Sequence, residues 1–122
     1  MSLTLAIDTA TPQVSVALGG PEGVMAELNL RPGPRHGEVL APAIESVLRL
    51  AGARIEAVGR VGVDVGPGLF TGLRVGVATA KALASALEVP VVPCTSLDLL
   101  AHPHRSAGLP VASVVDARRG EV

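Results

Sequence analysis

Two stretches of this chain combine residue types that can do chemistry. The first is Asp8-Thr9-Ala10-Thr11, where a carboxylate ends an apolar run and small hydroxyl residues follow. A carboxylate at a strand end beside such a turn can position a hydrated metal ion or a phosphate. The same residues can instead close the turn with side-chain-to-backbone hydrogen bonds. The second stretch is Gly66-Pro67-Gly68-Leu69-Phe70-Thr71-Gly72-Leu73-Arg74. It lies between a strand pattern and a helix pattern, where loops present backbone N–H groups to anions. It is not a Walker A sequence, because no Gly-Lys-Ser/Thr follows, and its glycine spacing does not match the dinucleotide fingerprint. Arg74, near the helix start, opposes the helix dipole and makes sense there if it meets a carboxylate or phosphate. The alternative is a tight turn whose glycines allow close packing, with Phe70 tucked beneath it. A further carboxylate, Asp116, ends an apolar run near the end of the chain, as Asp8 does near its start.

The remaining reactive side chains match no standard arrangement. His102 and His104 flank Pro103, and Cys94 closes a strand pattern, where it reads as a small core residue. Their spacing fits no metal site, so no metal ligand is assigned. No Ser-His-Asp, Cys-His or HExxH pattern is legible.

Composition narrows the function classes. The chain has 122 residues, one domain's worth, with 10 Lys+Arg against 11 Asp+Glu and a formal net charge of −1. That balance removes the simplest electrostatic reason for direct nucleic-acid binding. Phe70 is the only aromatic residue, so a base-stacking platform is excluded. A single cysteine rules out an internal disulfide and suits a reduced compartment. There is no basic n-region at the start and no uncharged apolar stretch long enough for a membrane helix. The expected location is cytoplasmic, with no membrane partner. Hydrophobic residues make up 48% and charged residues 17%, so apolar surface is expected beyond the core.

The elements that must hold these residues follow from periodicity. Leu3 to Ile7, the alternation of Val14, Val16 and Leu18, and that of Val24, Ala26 and Leu28 predict an antiparallel meander of three strands. Arg31 to Gly37 is a loop. Leu40, Ala43, Ile44, Val47, Leu48 and Ala51 predict a helix stopped by Gly52, in which Pro42 is tolerable only near the first turn unless it kinks the helix. Val58 to Val65 reads as a buried strand. Thr71 is a plausible N-cap of a second helix reaching about Leu87. A short strand over Pro90 to Pro93, a short helix over Leu97 to Ala101 and a linker over 102–108 follow. Val111 to Asp116, a turn, and then Glu121-Val122 repeat the opening order of strand, Asp, turn, strand. This predicts a first domain over 1–108 and the first strand of a second, truncated domain over 109–122.

The second helix is apolar nearly all round. Leu73, Gly76, Val77, Ala80, Leu83, Ala84 and Leu87 form one face, and Val75, Ala78, Thr79, Ala82 and Ala86 lie on the other. Such a helix is expected to be buried on two sides. Gly76, Ala80 and Ala84, four residues apart, are expected to let another helix approach closely. The second helix therefore reads as a protein–protein surface.

Taken together, LAIDTATPQVSVAL, His36 at the first helix, GPGLFTGLRVG and VVDARRGEV resemble the TsaB family, also called YeaZ. The resemblance runs through essentially the whole chain. It implies an α/β, actin-like ATPase fold on a ribonuclease-H-like core: a mixed sheet with a three-strand meander, then alternating helices and strands. It also implies a non-catalytic subunit in tRNA threonylcarbamoyladenosine synthesis. Such a subunit binds the catalytic paralogue TsaD, works with the ATPase TsaE, forms homodimers through the same surface, and meets tRNA only indirectly. On this resemblance the partner surface comprises His36, Leu40, Ile44 and Val47 of the first helix with Val75, Gly76, Thr79, Ala80, Ala82, Leu83 and Ala86 of the second. The remnant nucleotide or phosphate loop comprises Asp8, Thr9, Thr11, Gly66, Pro67, Gly68, Phe70, Thr71, Gly72, Arg74 and Asp116. No cofactor is required, and ATP or ADP is expected only as a weak ligand at a remnant or interface site. The family was once called glycoproteases, and its catalytic paralogue holds metal with an HxxxH histidine pair. Here only His36 stands at that helix start and position 40 is Leu40, so neither that metal site nor peptidase activity is supported.

Two other readings stay open at this level. One is a small-molecule kinase or ATPase of the actin-like superfamily, using Asp8, the glycine loop and Asp116 around a nucleotide and inactive as truncated. The other is a chain kept only for structural homodimerisation.

Overall fold

In a computed structural model, residues 2–31 and 35–116 are described. The chain begins with strands β1 (Leu3–Asp8), β2 (Val14–Gly20) and β3 (Gly23–Leu30). Helix α1 (His36–Ala51), strand β4 (Val58–Asp64), helix α2 (Phe70–Leu87), strand β5 (Val91–Cys94) and helix α3 (Ser96–Ala101) follow. They form one sheet in the order β3-β2-β1-β4-β5. The meander is antiparallel, as its alternating pattern requires, while β4 and β5 run parallel to β1. This is the α/β, actin-like and ribonuclease-H-like arrangement expected from the sequence.

Period-two alternation sends Leu5 and Ile7 of β1, Val14, Val16 and Leu18 of β2, and Val61 and Val63 of β4 to one buried face. Helix α1 covers that face with Leu40, Ala43, Ile44 and Val47, and α2 does so with Ala80 and Ala84. The small α2 residues let its backbone lie close on the sheet. Burial of this apolar surface is the main force holding the layers together.

Both helices end in left-handed caps. Gly52 (φ 66°) donates its N–H to the Arg49 carbonyl, and the Ala53 N–H reaches back to Leu48. At the end of α2, Glu88 takes the same conformation at φ 57° without being glycine. A side chain there is strained, so α2 closes on a less favourable residue than α1 does.

Several boundaries differ from the sequence expectation. Helix α1 begins at His36, so Pro42 is its seventh residue, beyond the first turn. The cause is tertiary: the His36 Nε2–H donates to the Thr11 carbonyl at 2.7 Å and pins the helix start to the β1–β2 turn. Thr71 is not the N-cap of α2. Leu69 is, in an extended conformation, and its N–H is held by the Ala10 carbonyl at 2.7 Å. The linker after α3 opens with a single 3-10 turn over His102–His104. Residues 111–116, expected as a strand, enter no ladder among the described residues, and Val111 and Val114 are exposed. The expected turn after Asp116 and the Glu121-Val122 strand lie outside the described residues.

Candidate functional site

Parallel pairing of β1 with β4 registers Ile7 with Val63, so Asp8 and Asp64 end neighbouring strands side by side. They open into a cleft of about 1040 Å³. Asp8, Thr11, Pro67, Gly68, Ser96, Leu99 and Asp116 line it together with Asp64. Of the residues expected to form a nucleotide site, Asp8, Thr11, Pro67, Gly68 and Asp116 therefore do converge on one cleft. The others do not line it.

Asp64 and Ser96 were not legible as site residues. Asp64 is 3% exposed and accepts the Gly66 N–H at 2.8 Å and the Ser96 hydroxyl at 2.7 Å. The only local signal was an aspartate two residues before Gly66, the spacing of an Asx turn. Ser96 comes from the start of α3, 32 residues away, and its own N–H donates to the Gly66 carbonyl at 2.9 Å. Only folding brings the two together.

The glycine loop turns inward. Its Gly66 N–H is taken by Asp64 and its Leu69 N–H by Ala10, so neither is offered to an anion. Gly68 packs against the Ala10 backbone, where a side chain has no room. Gly72 and Gly76 lie directly over Thr9. Thr9 is fully buried, and its Oγ1 donates to the Gly72 carbonyl at 2.6 Å. It is a packing post between β1 and α2. Phe70 is not tucked beneath the turn: it is 72% exposed. Thr71 is also exposed. Arg74 pairs with no carboxylate among the described residues and lies 5.5 Å from the Phe70 ring centroid, a cation–π contact.

The electrostatics of the cleft are acidic. Its described lining carries Asp8, Asp64 and Asp116 and no Lys, Arg or His. Burial and then the neighbouring Asp64 carboxylate raise the pKa of Asp8 above its ordinary 3.8, against the lowering effect of the Ala10 N–H. That N–H donates to Asp8 Oδ1 at 3.0 Å. Among the described residues no group of three His, Cys, Asp or Glu side chains is placed to hold a metal ion.

A stability prediction follows from Asp8. A carboxyl whose folded pKa is raised binds more protons folded than unfolded in the window just above 3.8. Its contribution to stability therefore falls as pH rises through that window and stays unfavourable above it. Asp8→Asn keeps an oxygen to accept the Ala10 N–H and removes the charge. At neutral pH its Tm should rise by about 2–4 °C, a small gain because solvent screens this partly exposed group. Below the window the gain should vanish. Thermal melts across pH check this, and an unchanged or lower Tm at neutral pH would refute it.

The expected partner surface divides in two. His36, Leu40, Val47, Gly76 and Ala80 are buried in this chain's own core, so the small-residue stripe serves the sheet and not another helix. The reason is Thr9, which needs glycine above it. The surface part is Val75, Thr79 and Leu83, half-buried, with Ala82 and Ala86 exposed. Ile44, Thr79 and Leu83 line a groove of about 530 Å³ between α1 and α2. Cys94, read as a core residue, is half-buried and lines a shallow apolar hollow on the opposite sheet face.

A family model described as TsaD, tRNA N6-adenosine threonylcarbamoyltransferase, matches residues 23–122. The chain is similar to the Escherichia coli tRNA threonylcarbamoyladenosine biosynthesis protein TsaB, 34% identical over 120 residues, covering 97% of this chain and 52% of that protein. It is similar in structure to YeaZ from Pseudomonas aeruginosa, with a TM-score of 0.87 and 35% identity over 98% of this chain and 56% of that one. Thermus thermophilus RuvC shares the fold alone, with a TM-score of 0.52 and 14% identity over 81% of this chain and 67% of that one. The chain spans about half the length of the curated relatives it matches.

Proposed function

The chain belongs to the TsaB/YeaZ family, and from that premise we propose that it is a scaffold subunit without chemistry of its own. It docks a TsaD-type catalytic paralogue along α1 and α2. Together with a TsaE-type ATPase, that complex transfers threonylcarbamoyl to the tRNA adenosine beside the anticodon.

The observation that carries this reading is the outer surface of the two helices. Ala78, Ala82 and Ala86 stand exposed at four-residue spacing on α2, beside the apolar groove floored by Ile44 and Leu83. Small side chains let a partner backbone come close, and the groove accepts its larger ones. The cleft supports the same reading. Asp64 is engaged with Ser96 and Gly66, and the adjacent Asp8 and Asp64 carboxylates repel an incoming phosphate. The nucleotide-dependent alternative rests on that same cleft and needs a cation to bring a phosphate into it.

The test is to mix this chain with its catalytic paralogue and measure mass by light scattering after size exclusion. A one-to-one complex is expected. Ala82→Arg, at an exposed position that leaves the core intact, should weaken it at least tenfold by placing a charge in the close contact. Failure to form a complex, or an Ala82→Arg chain that binds as well as the parent, would overturn the proposal.

A further inference from the structure

Among the described residues the sheet ends in β5 on one side and β3 on the other. The two edges are built differently. β5 is four residues long and contains Pro93, which has no N–H to give a further strand. β3 runs for eight residues, Gly23–Leu30, without proline or lysine. An edge left this long and open is a template for another strand. Its register with β2 sorts its side chains. Leu28 and Leu30 stand opposite Val16 and Val14, core residues on the face that α1 covers. Leu30 is nonetheless exposed at the edge. Glu27 and Asn29 stand opposite Ala17 and Ser15, on the other face. Glu27 is the one charge in the strand, and Arg31 follows directly after it. Neither Glu27 nor Arg31 has an ion-pair partner among the described residues.

A two-fold axis at Asn29 makes this edge complementary to itself. Glu27 and Arg31 lie equally far from Asn29 along the chain, on either side of it. Antiparallel pairing about Asn29 therefore sets each Glu27 opposite the second copy's Arg31. Leu28 then faces the second copy's Leu30, which extends the apolar layer under α1 across the junction. Asn29 meets its own copy at the axis with no charge to oppose it. The neighbouring registers are worse. An axis at Glu27 sets two carboxylates against each other, and an axis at Leu28 leaves Glu27 opposite the neutral Asn29. We propose that β3 is an interface strand, pairing antiparallel about Asn29 with β3 of a second copy, with Glu27 and Arg31 setting the register. The pairing joins two sheets edge to edge. α2 packs over β1, β4 and β5, away from this edge, so its outer face stays available in the joined pair.

The test is sedimentation equilibrium on the whole chain carrying Ala82→Arg, which removes association through α2. A reversible dimer is expected to persist. Adding Glu27→Arg sets arginine against arginine at both ends of the paired strands. Adding Arg31→Glu instead sets glutamate against glutamate. Each addition should weaken the dimer roughly tenfold. Both changes in one chain exchange the two charges and should restore it. Glu27 and Arg31 are exposed, and melting curves check that each variant keeps its fold. Hydrogen exchange gives the location: main-chain N–H groups of β3 should gain protection as concentration rises. A monomeric Ala82→Arg chain, single additions that associate as well as it does, or an exchange that restores nothing would each overturn the proposal. None of these results bears on the complex with the catalytic paralogue, so the proposed function would stand.

Discussion

Gly72→Ala is expected to unfold the chain or come close to it, although helix propensity argues the reverse. Gly72 is the third residue of α2, and replacing a helical glycine by alanine normally gains up to about 1 kcal/mol. Here the new methyl would overlap the main-chain carbonyl oxygen of Thr9 and come within 3.5 Å of the His36 ring. Thr9 cannot retreat. Its Oγ1 is bonded to the Gly72 carbonyl at 2.6 Å, and the next carbonyl, of Ala10, holds the Leu69 N–H at 2.7 Å. Separating α2 from β1 would open the core around Ile7 and Ala80. The cost is about 3 kcal/mol or more, several times the propensity gain.

Gly76 offers an internal control. Its added methyl would meet Thr9 Oγ1, a side-chain atom, and not the backbone. Gly76→Ala should therefore also destabilise severely, but Thr9→Ala should recover part of the loss. The same Thr9→Ala change should not rescue Gly72→Ala, whose obstacle is the Thr9 main chain. Urea unfolding of the two double-mutant cycles gives the coupling directly. A Gly72→Ala chain with an unchanged or higher midpoint would show that the packing of α2 on β1 is looser than described.

Asp64→Ala is expected to lose about 2–4 kcal/mol. The side chain is almost fully buried, and its removal leaves the Gly66 N–H and the Ser96 hydroxyl without an acceptor. Those two bonds tie the end of β4 to the glycine loop and to the start of α3, so the loss should appear as local loosening there. Asp64→Asn should cost less, because it keeps the shape and one acceptor oxygen. A second readout separates the charge from the packing. Loss of the Asp64 carboxylate removes one cause of the raised pKa of Asp8, which should shift down toward its ordinary value in either variant. Carboxyl titration by NMR reads that shift. A titration of Asp8 that ignores both substitutions would contradict the side-by-side placement of the two groups.

The elements were largely legible because each obeys a local rule. The alternation in Val14, Val16 and Leu18 is that of a half-buried strand, and the three- and four-residue recurrence from Leu40 to Ala51 is that of a helix stopped by Gly52. Two Pro and Gly clusters marked the turns. The boundaries that moved did so through contacts distant in sequence. His36 was drawn into α1 by the Thr11 carbonyl, and Leu69 displaced Thr71 as the cap through the Ala10 carbonyl.

The site was only half legible. Asp8 and the glycine loop announced themselves by residue type, and both reach the cleft region. Their roles there depend on partners that no local pattern reveals. Thr9 looked like a ligand and is a buried post. Phe70 read as part of the loop or as tucked beneath the turn, and it is exposed, with Arg74 against its ring. Asp64 carried no signal of a site residue, and it accepts hydrogen bonds from both Gly66 and Ser96 at the cleft.

By itself, then, the sequence determined the order and type of the elements from β1 to α3, the inward faces of the meander strands and of α1, and the family. Each of these follows from periodicity and short motifs, which are properties of neighbouring residues. Tertiary structure alone decided which small residues of α2 are interior and which are surface. It also decided that Asp8 and Asp64 share a cleft and that the glycine loop spends two of its N–H groups on its own fold. The physical reason is that burial and hydrogen-bond satisfaction belong to pairs of groups. Here those pairs join Thr9 to Gly72 and Asp64 to Ser96, far apart along the chain.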